Sequence, residues 1–267
     1  MRGDFWERAG LVLALIAVAA FILLTPPDLL RKADYLGAVV CHRMPSHSFF
    51  IAGHQLPVCQ RCTGTFGGAL TVILWQWAVW RRRERAFPPP LIWLLMGAMA
   101  LPWVADGFNS FTALEKGVGV LGYAPQPWLR LLSGALMGTV MGVILVAAFN
   151  QTVWADEVAS DRAAVARPRD LLILTLASLG VAALVYTRMD WLLYPVTLYL
   201  AAAIVALFTL LGTMIWVMVA GREQRYRRWS EVVPAAGWGL VFTALIVASM
   251  LAIRLTLTGT IDGMPGL

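Results

Sequence analysis

The sequence predicts an all-α fold, a polytopic transmembrane helix bundle of about seven spans, and three observations carry that prediction. Of 267 residues, 60% are hydrophobic and 13% charged, whereas soluble domains average about 45–50% apolar and about 25% charged residues. Uncharged runs recur at lengths near the roughly 20 residues that cross the hydrocarbon core of a bilayer. Arginines gather in the short polar segments between those runs, where they act as topology determinants. The 12 tryptophans suit the membrane interface, since indole is apolar with one polar tip. A net charge of +6 distributed in this way is not a nucleic-acid signal. No strand pattern or internal repeat is read.

In chain order, residues 1–267 read as a single integral membrane domain. After a polar start at 1–9, the first span covers about Gly10–Thr25 and ends at Pro26-Pro27. No small-residue cleavage pattern precedes the proline pair, so this span is read as retained and not as a signal peptide. Residues 28–62 form the longest extramembrane loop, and 28–40 within it read as a short amphipathic helix at the interface. The second span, about Thr63–Trp80, is closed by Arg81, Arg82, Arg83 and Arg85. The third, about Pro90–Ala105, gives way at Asp106 to a glycine-rich loop. The fourth, about Trp128–Phe149, carries Arg130 in its first turn. Residues 150–170 read as a hydrophilic cytoplasmic loop with little packing. The fifth span is about Leu171–Thr187, the sixth about Leu192–Ala220 and the seventh about Val232–Leu255.

The basic loops 81–87 and 222–228, the N-terminus and 150–170 fall on one face if the spans alternate. The positive-inside rule makes that face cytoplasmic, giving an N-in/C-out protein of the cell membrane with loop 28–62 outside.

That loop holds all three cysteines and all three histidines of the chain, between Cys41 and Cys62. Cys41-His42 is followed after 16 residues by Cys59-x-x-Cys62. Thiolate and imidazole suit Zn²⁺ and other late transition metals. Outside the cytoplasm thiols tend to be oxidised unless a metal holds them, and an odd count leaves one over from any disulfide scheme. Cys41, Cys59 and Cys62 with one histidine make a four-ligand zinc knuckle. Spacing leaves His42 and His54 both open as the fourth ligand, with His47 the weakest. Pro45, Gly53 and Pro57 supply turns.

A competing reading is a membrane thiol–disulfide oxidoreductase, with Cys59 and Cys62 activated at the start of a helix. It lacks the second cysteine pair that such chemistry usually uses. A plain short disulfide beside a buried Cys41 is the bland account. A third reading is a non-catalytic subunit or transporter-like scaffold. Phosphate loops, dinucleotide fingerprints, haem-attachment motifs and nucleophile elbows are not found, so no enzyme class is assigned. The expectation that no acidic residue sits mid-span argues against a carboxylate-coupled pump.

Asp106, Arg130 and Arg61 are expected at the level of the cysteine loop. There an aspartate can orient a ligating histidine, and the arginines can hold an anionic small ligand or headgroup. Lipid is the expected environment, and a protein partner is not identified. Gly64 and Gly68, with Gly134, Gly138 and Gly142, read as close-packing stripes.

The run C-H-x-x-P…S-F-F…G-x-Q-L-P-x-C-x-R-C-T-G, from Cys41 to Gly64, resembles a family of bacterial and archaeal membrane proteins, domain of unknown function 2085. The likeness covers about residues 35–145 and extends to Asp106-Gly107, Arg130 and Gly134. It implies roles for Cys41, His42, Pro45, Gln55, Pro57, Cys59, Arg61, Cys62 and Gly64. It favours His42 over His47 and His54, and it implies no activity.

Overall fold

The computed structural model describes residues 2–80, 83–116 and 119–263; Arg81 and Arg82 of the first basic loop lie outside the described residues. The all-α class holds. The helices are α1 (Arg2–Leu24), α2 (Leu29–Val40), α3 (Gln60–Leu74), α4 (Pro90–Lys116), α5 (Pro127–Val153), α6 (Pro168–Tyr186), α7 (Leu193–Val219) and α8 (Trp229–Thr258). Among the described residues, 5 helices, α4 to α8, are long and apolar enough to cross a membrane. The count rises to 6 if α1 and α2, bent by 114° at the proline pair, form one broken span. The expected count of about seven is therefore not confirmed.

The difference lies mainly in α3, which occupies the expected second span. Its α-helical part is 15 residues long and then loosens into a π-helical turn over Trp75–Val79. This helix packs most heavily on α5 and also touches α6 and α7. A helix surrounded by protein has no need of a lipid-grade apolar surface, and Thr63, Thr65 and Gln76 are buried on it. The glycine stripes meet as expected: a Cβ on Gly64 would strike the Leu131 carbonyl, and one on Gly138 the Thr65 carbonyl. Small residues let these two backbones touch.

The interfacial helix forms as α2, capped by the Asp28 carboxylate, which accepts from Arg31 N–H at 2.8 Å. Beyond it, a hairpin unread in the sequence pairs β1 (Ser48–Ile51) antiparallel with β2 (His54–Cys59). Its two-residue turn places Ala52 and Gly53 at φ 48° and 77°, the conformation that tight hairpin turns need. Phe49, Ile51, Leu56 and Val58 bury against α5, α6 and α7, each worth about 1.5–3 kcal/mol of apolar transfer. That burial presses the hairpin onto the helix ends.

Two further expectations need correction. The third span does not end at Ala105, because α4 continues to Lys116 and places Asp106 inside the apolar stretch Pro90–Leu114. Polar side chains on the extension tie the following loop back to it. Asn109 accepts from Leu121 N–H at 2.8 Å, and Thr112 accepts from Val120 N–H at 3.1 Å. Asp106 therefore falls within a helix long and apolar enough to span, and not just past its end. Segment 150–170 is also better packed than expected: Trp154 is fully buried, and β4 (Ser160–Ala163) pairs in parallel with β3 (Glu84–Ala86).

Candidate metal centre

Cys41 arrives at the C-terminal end of α2, Cys59 at the end of β2 and Cys62 in the first turn of α3. Three separate elements thus deliver the sulfurs, and the three Sγ atoms lie within 4.8 Å of one another. Among the described residues this is the one group of metal-ligand side chains gathered so closely. None of the three is bridged. Cys41 and Cys59 are buried, and Cys62 is partly so.

The sulfur of Cys41 accepts two backbone N–H groups, from Cys59 at 3.1 Å and Arg43 at 3.4 Å. Such bonds orient a sulfur and favour its thiolate form. Even so, the Cys41 thiol is pushed up to about 12, first by its hydrogen bond with Cys59 and then by burial. Cys59 is held well below the ordinary thiol range, first by the hydrogen bond from Cys41 and then by that from Cys62, with His42 adding to both. Of the three sulfurs, that of Cys59 is the one its neighbours most favour as thiolate.

The histidines separate. His42 lies against Cys59, and its Nδ1 accepts the Met44 N–H at 3.0 Å. The His47 ring meets the His42 ring edge-on at 5.5 Å between centroids, and its Nε2 accepts from Arg130 Nη2 at 3.1 Å. Burial, and then the Arg130 guanidinium, push His47 down to about 4, so it is neutral at pH 7. His54 lies apart from the sulfurs; its Nε2 is 3.7 Å from Asp34 Oδ1.

The polar groups expected beside the loop do assemble there. Arg61, in the first turn of α3, pairs with Asp106 and donates to Ser110 Oγ at 3.1 Å. Tyr123 O–H donates to the other Asp106 oxygen at 3.2 Å. Arg130 reaches Ser110 Oγ and Gln60 Oε1, each at 3.4 Å, as well as His47. It is 6% exposed and, among the described residues, has no carboxylate partner. Gln55 Nε2 donates to the Arg43 carbonyl and to Ser48 Oγ, both at 2.9 Å, and so holds the loop's fold.

Sequence reasoning missed the most extensive support of the loop. Arg254, near the end of α8, donates to the carbonyls of Ala38, Cys41, His42, Thr260 and Gly263. It also missed the nearly fully buried pair of Arg43 and Asp34, whose atoms stand 2.8 Å apart. Asp262 of the tail accepts both arms of Arg31 at 2.6 Å and completes that cluster. A lone arginine in an apolar span was the sole signal of Arg254.

A family described as "Predicted membrane protein (DUF2085)" matches residues 41–144, which start at Cys41 and end within α5. An uncharacterised protein of Methanothermobacter thermautotrophicus is 32% identical over 85 residues, which are 32% of this chain and 72% of that protein. Another of Methanocaldococcus jannaschii is 27% identical over 118 residues, 44% of this chain and 68% of that protein. No solved structure matches the chain.

Proposed function

This chain belongs to the DUF2085 family of predicted membrane proteins, and we propose that it carries a metal centre in which Cys41, Cys59 and Cys62 hold one Zn²⁺ or a similar late transition ion. The observation that carries the proposal is the gathering of the three sulfurs within 4.8 Å from three separate elements. Zn–S bonds of about 2.3 Å in a tetrahedron set sulfurs about 3.8 Å apart. The observed limit of 4.8 Å accommodates that spacing.

Charge supports the same reading. Three thiolates around a divalent ion leave one negative charge, and Arg130 supplies one buried positive charge without a carboxylate partner among the described residues. Arg61 and Asp106 balance each other. Arg254, 9% exposed and bonded to the Cys41 and His42 carbonyls, adds a second buried guanidinium, so the surroundings favour an anionic tris-thiolate centre. The metal's role in this proposal is to clamp loop 28–62 onto α3 and α5.

The experiment is metal analysis of the purified protein, with about one equivalent per chain expected. A Cys59→Ser/Cys62→Ser double variant that retained full metal content would overturn the proposal.

A second reading, a membrane thiol–disulfide oxidoreductase, draws support from Cys59, which stands at the N-cap of α3 with its thiol held below the ordinary range. Thiol alkylation separates the two. Cysteines released by a chelator belong to the metal reading, and cysteines released by a reductant belong to the redox reading. The scaffold reading, with an anionic ligand on Arg61 and Arg130, predicts a partner or solute that is recovered with the protein from native membrane. The orientation we propose is N-in/C-out in the cell membrane with the cysteine loop outside, as the arginine loops favour. A membrane-impermeant thiol reagent should then reach the loop in intact cells once metal is stripped or a disulfide reduced, and no labelling before cells are opened would reverse it.

A further inference from the structure

We infer that the metal's fourth ligand comes from outside the chain, a small exchangeable donor that is water at rest, and that His42 serves as a hydrogen-bond donor to the Cys59 sulfur and not as a ligand. The inference rests on the metal reading above and specifies the coordination of that same site.

The proton of the His42 ring has one place to be. A backbone N–H can only donate, so the 3.0 Å contact of Met44 N–H with His42 Nδ1 makes Nδ1 an acceptor. A neutral imidazole accepting at one nitrogen carries its proton on the other. Nε2 is therefore N–H, and the ring's contact with Cys59 is an N–H donated to sulfur. Ligation through Nε2 would move the proton to Nδ1 and set two donors, Nδ1–H and Met44 N–H, against each other. Ligation through Nδ1 would abandon the Met44 bond and turn the ring away from its place against Cys59.

The other candidate donors are engaged as well. A guanidinium has no acceptor, so His47 Nε2 must accept from Arg130, and its lone pair is used. His54 stands with Asp34, away from the sulfurs. Asp106 is held by Arg61 and Tyr123. Three sulfurs remain, and three protein ligands with one exchangeable position is the arrangement of zinc sites that do chemistry or pass on a ligand; closed sites use four. Cys62 and His42 are partly exposed, so the sulfur cluster is not wholly enclosed.

The test uses full-length protein in detergent, loaded with Co²⁺ for absorption and with Zn²⁺ for X-ray absorption, and imidazole as the probe. Added imidazole should shift the Co²⁺ ligand-field bands saturably at one imidazole per ion, with the thiolate charge-transfer bands retained. Without imidazole, the Zn²⁺ protein should show three sulfurs and one light atom with no imidazole-ring scattering. His42→Gln, which keeps a donor, should load the same equivalent of metal. Ring scattering in the unmodified protein, or bands that imidazole leaves unmoved, would overturn the inference while leaving a closed metal site standing. These two readouts need no variant, so misfolding of a His42 substitution does not cloud them. Unmodified protein that takes up neither ion removes the metal reading itself, and the inference with it.

Discussion

Replacing Arg254 with Met keeps length and apolar stem and removes the guanidinium that five carbonyls share. Hydrogen bonds to a charged donor contribute about 1.5–3 kcal/mol each, but those sharing one group do not add. The side chain is 9% exposed, so water replaces few of the lost bonds. A cost of about 3–5 kcal/mol is expected, the range found when one partner of a buried charged network is removed. Because two of the acceptors are the Cys41 and His42 carbonyls, at 2.5 and 3.1 Å, the loss falls on the cysteine loop first. Metal affinity, measured by competition with a chromophoric chelator, should fall about 10–100-fold, the usual effect of losing an outer-shell partner. Thermal unfolding in detergent should move down together with it. Arg254→Lys should recover only part of both, since an ammonium has three donors and no planar fork. Unchanged chelator competition in Arg254→Met, with metal bound, would show that the loop does not depend on this contact.

Three further outcomes are expected. Asp106→Asn removes the carboxylate facing Arg61 and should lower stability, by the low end of about 3–5 kcal/mol because Arg61 is 20% exposed; an unchanged thermal midpoint would show the pair to be idle. Gly64→Ala puts a methyl into the Leu131 carbonyl and Ala135 N, and a cost of about 1–3 kcal/mol is expected from forced separation of α3 and α5; a monodisperse, equally stable variant would refute that contact. Metal affinity should rise with pH: the Cys41 thiol, pushed up to about 12, is protonated at pH 7, and binding must displace its proton. Calorimetry in buffers of different ionisation heat should then show proton release on binding, and a pH-independent affinity would contradict it.

The fold class was legible because burial in lipid writes itself as long apolar runs, and α4 to α8 follow them. The centre of the bundle was less legible for the same reason inverted: α3 is shielded by its neighbours, so its threonines, glycines and Gln76 dilute the signal. The extension of α4 past Asp106 was hidden because Asn109, Ser110 and Thr112 look like a loop until their partners are seen, across the turn for Asn109 and Thr112 and on α3 for Ser110. The gathering of the sulfurs was legible, since rare residue types confined to 22 positions need a reason. The division among the histidines was not, because the proton on His42 is decided by a backbone N–H two residues on. The hairpin escaped because β2 contains Pro57 and both strands are short. Arg254 acts on carbonyls, which every residue has, so no pairing of charges announces it.

The reach of Arg254 bears on how the protein is made. Its contact with the Cys41 carbonyl joins residues 213 positions apart, so the loop emerges from the ribosome long before its clamp does. The Ala38, Cys41 and His42 carbonyls must wait for this donor while α4 to α7 are inserted, and they receive it only when the last helix arrives. A nascent chain stalled before α8 would carry every cysteine of the centre and none of Arg254's grip on the Cys41 and His42 carbonyls. Completion of the site is therefore an event of late assembly, at the opposite end of the message from the codons that encode its sulfurs.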